Sequence, residues 1–253
     1  MDSERRVATL TLTRPEALNA ISRELAIELR AACESLTERT DVWIVIVTGA
    51  GERAFCAGAD LKERRALSAD ARAAHTVAIE AAAEALAALP MPTIAAIRGF
   101  ALAGGAELAI ACDLRVAAED ATMGFPEVKI GIFPGAGGAL RLPRIVGSGV
   151  ARDLLFTGRR VTAEEAFRIG LVDRLVAPQS VLETAAELAA SMAANAPLAM
   201  RAVKRALEES YVRPLEDARN AISALRRALD DTEDYEEGLA AFAEKRAPRF
   251  RGR

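Results

Sequence analysis

Two glutamates, Glu107 and Glu127, lie in a glycine-rich stretch that runs from residue 99 to residue 138. Within it, the pair Gly104-Gly105 follows an apolar run and precedes a good helix-forming segment, which predicts a turn that opens a helix. Such a turn presents free backbone N–H groups and the positive end of a helix dipole. Since Glu107 falls in the first helical turn, its carboxylate would lie beside these donors. This combination suits chemistry in which charge develops on a carbonyl oxygen while a proton moves nearby.

Taken singly, each feature also has a structural explanation. A glutamate in the first turn of a helix complements the dipole and can complete a capping box, and Glu127, after Pro126, could be an ordinary loop carboxylate. The glycine cluster at 135–138 lacks the Lys-Ser/Thr of a P-loop and the spacing of a dinucleotide fingerprint. A nucleotide site is therefore a poor interpretation of these glycines.

His75 is the single histidine of the chain. Its solitary occurrence argues against catalytic triads that contain histidine, metal sites built on histidine and most histidine general-base schemes. It lies in an alanine-rich helical pattern, and we expect a partly exposed helix residue there rather than a catalyst. Proton transfer would then depend on carboxylates.

The composition is that of an ordinary soluble protein. The 253 residues fit one large domain or a domain with an appendage, and the net charge of −3 argues against a nucleic-acid partner. The three cysteines, Cys33, Cys56 and Cys112, form no CxxC pair and are expected to be buried free thiols in a reducing compartment. No apolar run approaches membrane-spanning length and no signal-peptide pattern is seen, so the expected location is cytoplasmic, without a membrane partner.

Local patterns predict an α/β fold with one main core. The predicted strands are at Val7–Thr13, Val42–Val47, Thr93–Ile97 and Leu114–Ala117. Helices are predicted from Ser22, from Ser68 to Leu89 and at Ala106–Cys112. Asp60 is a predicted helix cap. From residue 163 onward the pattern is almost wholly helical. A shift near Ala196 predicts a core at 1–195 and a helical oligomerisation module at 196–253, whose apolar faces need a partner surface.

Four motifs occur in order along the chain: AFCAGADLKE at 54–63, GFALAGGAELAIACD at 99–113, GFPEVKIGIFPGAGGALRL at 124–142 and FTGRRVTAEEAFRIGLVDRLV at 156–176. Together with both ends of the sequence they resemble the enoyl-CoA hydratase branch of the crotonase family over essentially the whole chain. The resemblance implies a crotonase-like spiral of β-β-α repeats and C-terminal helices that trimerise. The expected assembly is a homotrimer, or a homohexamer of two stacked trimers.

The resemblance also implies a site. In this family two backbone N–H groups hold the thioester oxygen, at the positions of Ala59 and Gly104, and the two hydratase carboxylates map onto Glu107 and Glu127. The implied reaction is the reversible addition of water to a 2-trans-enoyl-CoA to give a 3-hydroxyacyl-CoA. Glu107 is assigned as the base that activates water and Glu127 as the acid that protonates C2. No metal and no separate cofactor is expected, since coenzyme A is part of the acyl-CoA substrate.

Coenzyme A is expected to lie along Ala57–Lys62, where small residues allow contact with the backbone. The predicted substrate-binding residues are Ala57, Ala59, Asp60, Leu61, Lys62 and Gly104, with Arg14, Phe242 and Lys245 from elsewhere in the chain. Lys62 and Arg14 are candidates for the phosphates, and a solvated surface charge is an equal alternative for each.

Three alternatives stay open at this point: an enoyl-CoA isomerase of the same fold, a hydratase of branched substrates such as methylglutaconyl-CoA, and a catalytically silent CoA-binding homologue. Phe125 and Ala139-Leu140 depart from the more polar residues of some hydratases near the expected acyl pocket. The length and branching of the acyl chain are therefore not determined by the sequence.

Overall fold

The computed structural model describes residues 6–253, so residues 1–5 of the predicted core lie outside the described residues. The strands are β1 Val7–Leu12, β2 Ile44–Gly49, β3 Ala54–Cys56, β4 Thr93–Ile97, β5 Phe100–Leu102, β6 Leu114–Ala118, β7 Thr122–Gly124, β8 Arg160–Thr162 and β9 Arg174–Val176. The helices are α1 Arg23–Thr37, α2 Leu61–Ala66, α3 Ala69–Ala87, α4 Gly104–Ala111, α5 Gly138–Val146, α6 Ser148–Thr157, α7 Ala163–Arg168, α8 Val181–Ala193, α9 Pro197–Val212, α10 Leu215–Arg227 and α11 Glu233–Glu244.

The strands of the described chain form two sheets. One has the order β1-β2-β4-β6-β9 with every pair parallel, and the other has the order β3-β5-β7-β8, antiparallel at β7–β8 alone. Successive coils place one strand in each sheet, β2 then β3, β4 then β5, and β6 then β7. Helices α2 and α3 follow the first pair and α4 follows the second. The predicted α/β spiral of β-β-α repeats is confirmed.

The local predictions hold at most boundaries. Strands β2 and β4 are buried along their whole length, as expected of continuous apolar runs in a sheet covered on both faces. Ser22 and Asp60 cap α1 and α2 by accepting hydrogen bonds from backbone N–H groups. The helix expected at 106–112 begins two residues earlier, at Gly104, and all three cysteines are buried and free.

The expected partial exposure of His75 is wrong. The side chain is fully buried on α3, in line with Ile79 and Leu86 on the same helix face. Its Nε2 lies 3.0 Å from the carbonyl oxygen of Ile21. This main-chain oxygen gives a hydrogen-bond partner to a buried nitrogen that would otherwise have none.

The C-terminal helices contact the core through polar groups that are buried or partly buried. Lys204 on α9 donates to the Asp113 carboxylate at 2.8 Å, and Arg201 donates to the carbonyl oxygen of Arg39 at 3.1 Å. Large apolar side chains such as Val203 and Phe242 are exposed on these helices. A domain boundary at residue 196 and assembly through this region stay predictions. Between residues 6 and 253, no helix combines the length and apolarity that crossing a lipid bilayer requires.

Candidate active site

The backbone amide of Ala59 is held by the contacts of the preceding carbonyl. Ile21 N–H donates to the oxygen of Gly58 at 2.8 Å, and Asp60 N–H donates to the oxygen of Ile21 at 2.9 Å. Because C=O and N–H point in opposite directions across a trans peptide, the Ala59 N–H points away from Ile21. It donates to no group of the described chain, and Ala59 lines a cavity of about 610 Å³. An unused donor therefore lies in the cavity wall.

The backbone amide of Gly104 lies beside that of Ala59. As the first residue of α4, Gly104 has an N–H without an intrahelical acceptor, and it lines the same cavity. A Cβ placed on Gly104 would be 3.8 Å from the Ala59 nitrogen, and one placed on Gly58 would be 3.3 Å from the Gly104 nitrogen. The two amides thus belong to segments in direct contact.

This close contact depends on unusual backbone at the turn from β5 into α4. Ala103 has φ 50° and ψ −129°, a region that residues other than glycine rarely adopt. At Gly105 a Cβ would lie 2.1 Å from the carbonyl oxygen of Cys56, so a side chain there would force the helix away from β3. The glycine pair therefore allows the start of α4 to reach the Ala59 segment.

Glu107 lies one turn into α4 and is 4% exposed. Gly138 N–H, at the start of α5, donates to its Oε1 at 2.8 Å. Burial raises the pKa of this carboxyl to about 7, while the backbone N–H groups of Gly138 and Ala136 and the positive charge of Arg141 act in the opposite direction. Glu107 is thus a buried carboxyl group with main-chain donors for its ionised form.

Glu127 lies in a one-turn 3₁₀ helix, Pro126–Ile130, and is 6% exposed. Neither of its carboxyl oxygens has a hydrogen-bond partner among the described residues. Burial, together with the negative charge of Glu107, raises its pKa to about 7, while its own backbone N–H acts in the opposite direction. Both carboxyl groups line the cavity that contains Ala59 and Gly104, so two buried carboxyl groups and two free amides share one cavity.

The chain is similar to known proteins over nearly its whole length. The family model for enoyl-CoA hydratase/isomerase matches residues 2–253. The chain belongs to the enoyl-CoA hydratase/isomerase family. It is 38% identical over 246 residues to the short-chain-enoyl-CoA hydratase of Clostridium acetobutylicum, covering 97% of this chain and 94% of that protein. It is also 38% identical over 250 residues to the crotonyl-CoA hydratase of Syntrophomonas wolfei, covering 99% and 96%. The crystal structure of an enoyl-CoA hydratase from Bacillus anthracis superposes with a TM-score of 0.96 at 41% identity, covering 98% of this chain and 96% of that one.

The cavity of this enoyl-CoA hydratase/isomerase family member contains part of the predicted binding set. Ala57, Ala59, Leu61 and Gly104 line it, whereas Asp60, Lys62, Arg14, Phe242 and Lys245 are outside its lining. Phe242 is 87% exposed on α11, and Lys245 caps the C-terminal end of that helix. Their roles in substrate binding stay predictions.

Arg14 and Asp60 contact each other instead. Arg14 Nη2 donates to the Asp60 carboxylate at 3.0 Å, and its Nη1 donates to the carbonyl oxygen of Ala20 at 2.6 Å. Asp60 also accepts hydrogen bonds from Lys62 N–H and Glu63 N–H. These bonds tie the segment after Ala59 to the connector that precedes α1.

Several cavity residues were not singled out from the sequence. Three cations, Arg64, Lys129 and Arg160, and apolar side chains that include Ile79 and Phe133 complete the lining. Lys129 and Arg160 lie inside the family motifs, so their proximity in sequence to Glu127 and to the FTGRR segment was an available signal. No sequence signal pointed to Ile79, because tertiary packing decides which residues of a long helix line the cavity.

Proposed function

We propose that this protein catalyses the reversible hydration of 2-trans-enoyl-CoA thioesters to 3-hydroxyacyl-CoA. The observation that carries the proposal is the shared cavity, in which two buried carboxyl groups lie with two main-chain amides that have no acceptor in the described chain. Membership of the family supports it, as do the names of the two hydratases to which the chain is similar.

The two amides would act on the thioester oxygen. When water attacks C3, negative charge moves through the conjugated system onto this oxygen, and donors at Ala59 and Gly104 bind the enolate-like state more strongly than the neutral carbonyl. The dipole of α4 strengthens the second donor. Loss of one such donor typically lowers the rate by about two to three powers of ten.

The surroundings of the two carboxyl groups support an assignment of roles. N–H donors stabilise an ionised Glu107, which would orient water and take its proton as the general base. Glu127 accepts no hydrogen bond from another residue of the described chain, and burial and the charge of Glu107 favour its protonated form, which would be the general acid that delivers a proton to C2. The proton removed from water and the proton given to C2 balance over one turnover, and no cofactor is needed.

Within this proposal the coenzyme A part of the substrate lies along Ala57–Lys62. The cations that line the cavity, together with Lys62, are available for its phosphates, whereas Arg14 would have to leave Asp60 to join them. Phe242 and Lys245 would reach the substrate from the C-terminal helices. A homotrimer or homohexamer in the cytoplasm completes the proposal.

The direct test is incubation of the protein with crotonyl-CoA. Hydration removes the conjugated thioester absorbance and yields 3-hydroxybutyryl-CoA, which mass spectrometry identifies. Loss of that activity in both Glu107→Gln and Glu127→Gln, with butyryl-CoA still bound, is the expected result. A wild-type protein that leaves crotonyl-CoA unchanged would overturn the proposal, and conversion of a 3-enoyl-CoA to its 2-enoyl isomer would assign it as an isomerase instead.

A further inference from the structure

We propose that His75 is a positioning residue that holds the Ala59 amide in place through the main chain of Ile21. The proposal rests on the proposed function, because it concerns the donor that binds the thioester oxygen. His75 does not line the cavity and would touch no substrate atom.

The contacts form a short chain from His75 to Ala59. His75 Nε2 lies 3.0 Å from the carbonyl oxygen of Ile21, and since a carbonyl oxygen only accepts, Nε2 carries the proton. The same oxygen accepts from Asp60 N–H, while Ile21 N–H donates to the oxygen of Gly58. Ile21 therefore binds the segment on both sides of Ala59, and His75 holds the carbonyl oxygen of Ile21 that Asp60 N–H also contacts.

The side chain of Ile21 extends this link to the second amide. A Cβ placed on Gly104 would lie 3.2 Å from Ile21 Cδ1, so this methyl group packs against the start of α4. One residue thus contacts both of the segments that carry the free amides. A shift of Ile21 would move the two donors relative to each other.

The choice of histidine at this position is itself informative. The other buried residues of α3 are the apolar Ile79, Ala82, Ala83 and Leu86. His75 is fully buried, and its Nδ1 has no hydrogen-bond partner in the described part of the chain. An unpartnered buried nitrogen is unfavourable compared with an apolar side chain of similar size. The advantage of histidine at this position therefore lies in its Nε2–H group, which donates to the carbonyl oxygen of Ile21.

The test compares three substitutions of His75. His75→Leu keeps the volume and removes the donor, His75→Gln places an amide N–H near the position of Nε2, and His75→Asn is too short to reach Ile21. Leu86→Ala, on the same buried face of α3 and eleven residues beyond His75, is the control for loss of packing. Two quantities are measured: kcat and KM for crotonyl-CoA, and the C=O stretching frequency of bound butyryl-CoA labelled with ¹³C at the thioester carbon.

His75→Leu and His75→Asn are expected to lower kcat by roughly tenfold to a hundredfold, part of the loss known for removal of a whole oxyanion donor. KM should stay within about twofold, because the interaction strengthens mainly in the transition state. The bound carbonyl should show a smaller downward frequency shift than in the wild type. His75→Gln should restore most of both quantities, and Leu86→Ala should leave both unchanged.

Wild-type kcat and carbonyl frequency in His75→Leu or His75→Asn would overturn the inference. So would an equal loss of kcat in Leu86→Ala, or no recovery in His75→Gln, since either would mean that His75 only fills space. The butyryl-CoA measurement involves no hydration. A wild-type protein that shifts its carbonyl frequency without hydrating crotonyl-CoA would therefore refute the proposed function while the role of His75 is still tested.

Discussion

Glu107 and Glu127 lie in the same cavity and are buried to nearly the same extent, yet the groups around them differ. Glu107 accepts a hydrogen bond from the first N–H of α5 at 2.8 Å, whereas Glu127 accepts none from the described residues. Burial raises the pKa of both to about 7. Burial therefore brings both groups into the same pKa range, and the Gly138 N–H, which contacts Glu107 alone, is the difference that supports the proposal of Glu107 as the ionised member.

The largest effect is expected from removal of either titrating group. Glu107→Gln and Glu127→Gln should each lower kcat for crotonyl-CoA by about a hundredfold or more, the usual contribution of general acid–base catalysis. Calorimetric titration with butyryl-CoA should still give binding, because the amides and the coenzyme A contacts are unaltered. Substantial turnover in one variant would show that its partner performs both proton transfers.

A smaller loss is expected when the donor to Glu107 is disturbed. A Cβ on Gly138 would lie 2.5 Å from Pro134 Cβ and 3.0 Å from Glu107 Oε1, so Gly138→Ala must displace the N–H or the carboxylate. We expect kcat to fall by roughly tenfold to a hundredfold, within the range of a lost charged hydrogen bond. Gly149→Ala is the control, since nothing lies within 4 Å of a Cβ there. Equal activity of the two variants would contradict the importance of the donor.

The stability of the folded chain should depend on pH through both glutamates. With a folded pKa of about 7 against an ordinary 4.5, Glu127 keeps its proton in the folded state while it ionises in the unfolded chain, so stability falls as pH rises from 4.5 to 7. Glu127→Gln lacks this penalty. Its free energy of unfolding should exceed that of the wild type by about 3 kcal/mol at pH 8 and by little at pH 4. Urea denaturation measures both values.

Glu107→Gln sharpens the same measurement. Because the pKa of Glu107 is also raised to about 7, its replacement should give a similar gain in stability at pH 8. A gain for Glu127→Gln alone would show that the Gly138 N–H holds the pKa of Glu107 below that of Glu127.

The smallest effect is expected at Arg141, whose positive charge opposes the rise in the pKa of Glu107 and does not act on that of Glu127. Its guanidinium donates to the carbonyl oxygen of Ala136 and pairs with Glu84 at 2.6 Å, and Glu80 adds a negative charge from the same helix. Arg141→Met should move the acid limb of the kcat/KM profile upward by roughly half a pH unit. Arg141→Lys, which keeps the charge, should leave the limb near its original position.

The sequence predicted the first sheet better than the second. Strands β2 and β4 are continuous apolar runs whose pattern needs no tertiary information. Strands β3, β5 and β7 have three residues each, too few to show a period, and they form only because successive coils lie against one another. Helix α6 was also missed, since its start at Ser148-Gly149 gave no strong helix signal.

The site shows the same division. The resemblance supplied the two glutamates and the two amides, and the structure brings all four to one cavity. The resemblance did not indicate that His75 is buried. His75 lies four residues before Ile79, on the helix face that continues to Leu86, so the helical spacing of the buried residues was visible in the sequence. The many alanines of α3 obscured which face of the helix is internal. The partner of its imidazole, a main-chain oxygen 54 residues away, had no signal in the sequence.

The pairing of β3 with β5 has a consequence for how the chain tolerates changes of length. Cys56 is paired with Ala101, and the two amide-bearing residues, Ala59 and Gly104, each follow three positions later. Equivalent places on consecutive coils therefore carry the two donors. An inserted residue between strand and donor in either coil would put them out of step and turn one N–H aside. Insertions outside these two three-residue intervals would leave that spacing intact. The connection between α3 and β4 is nevertheless a poor place for one, because Leu89 and Met91 are fully buried there.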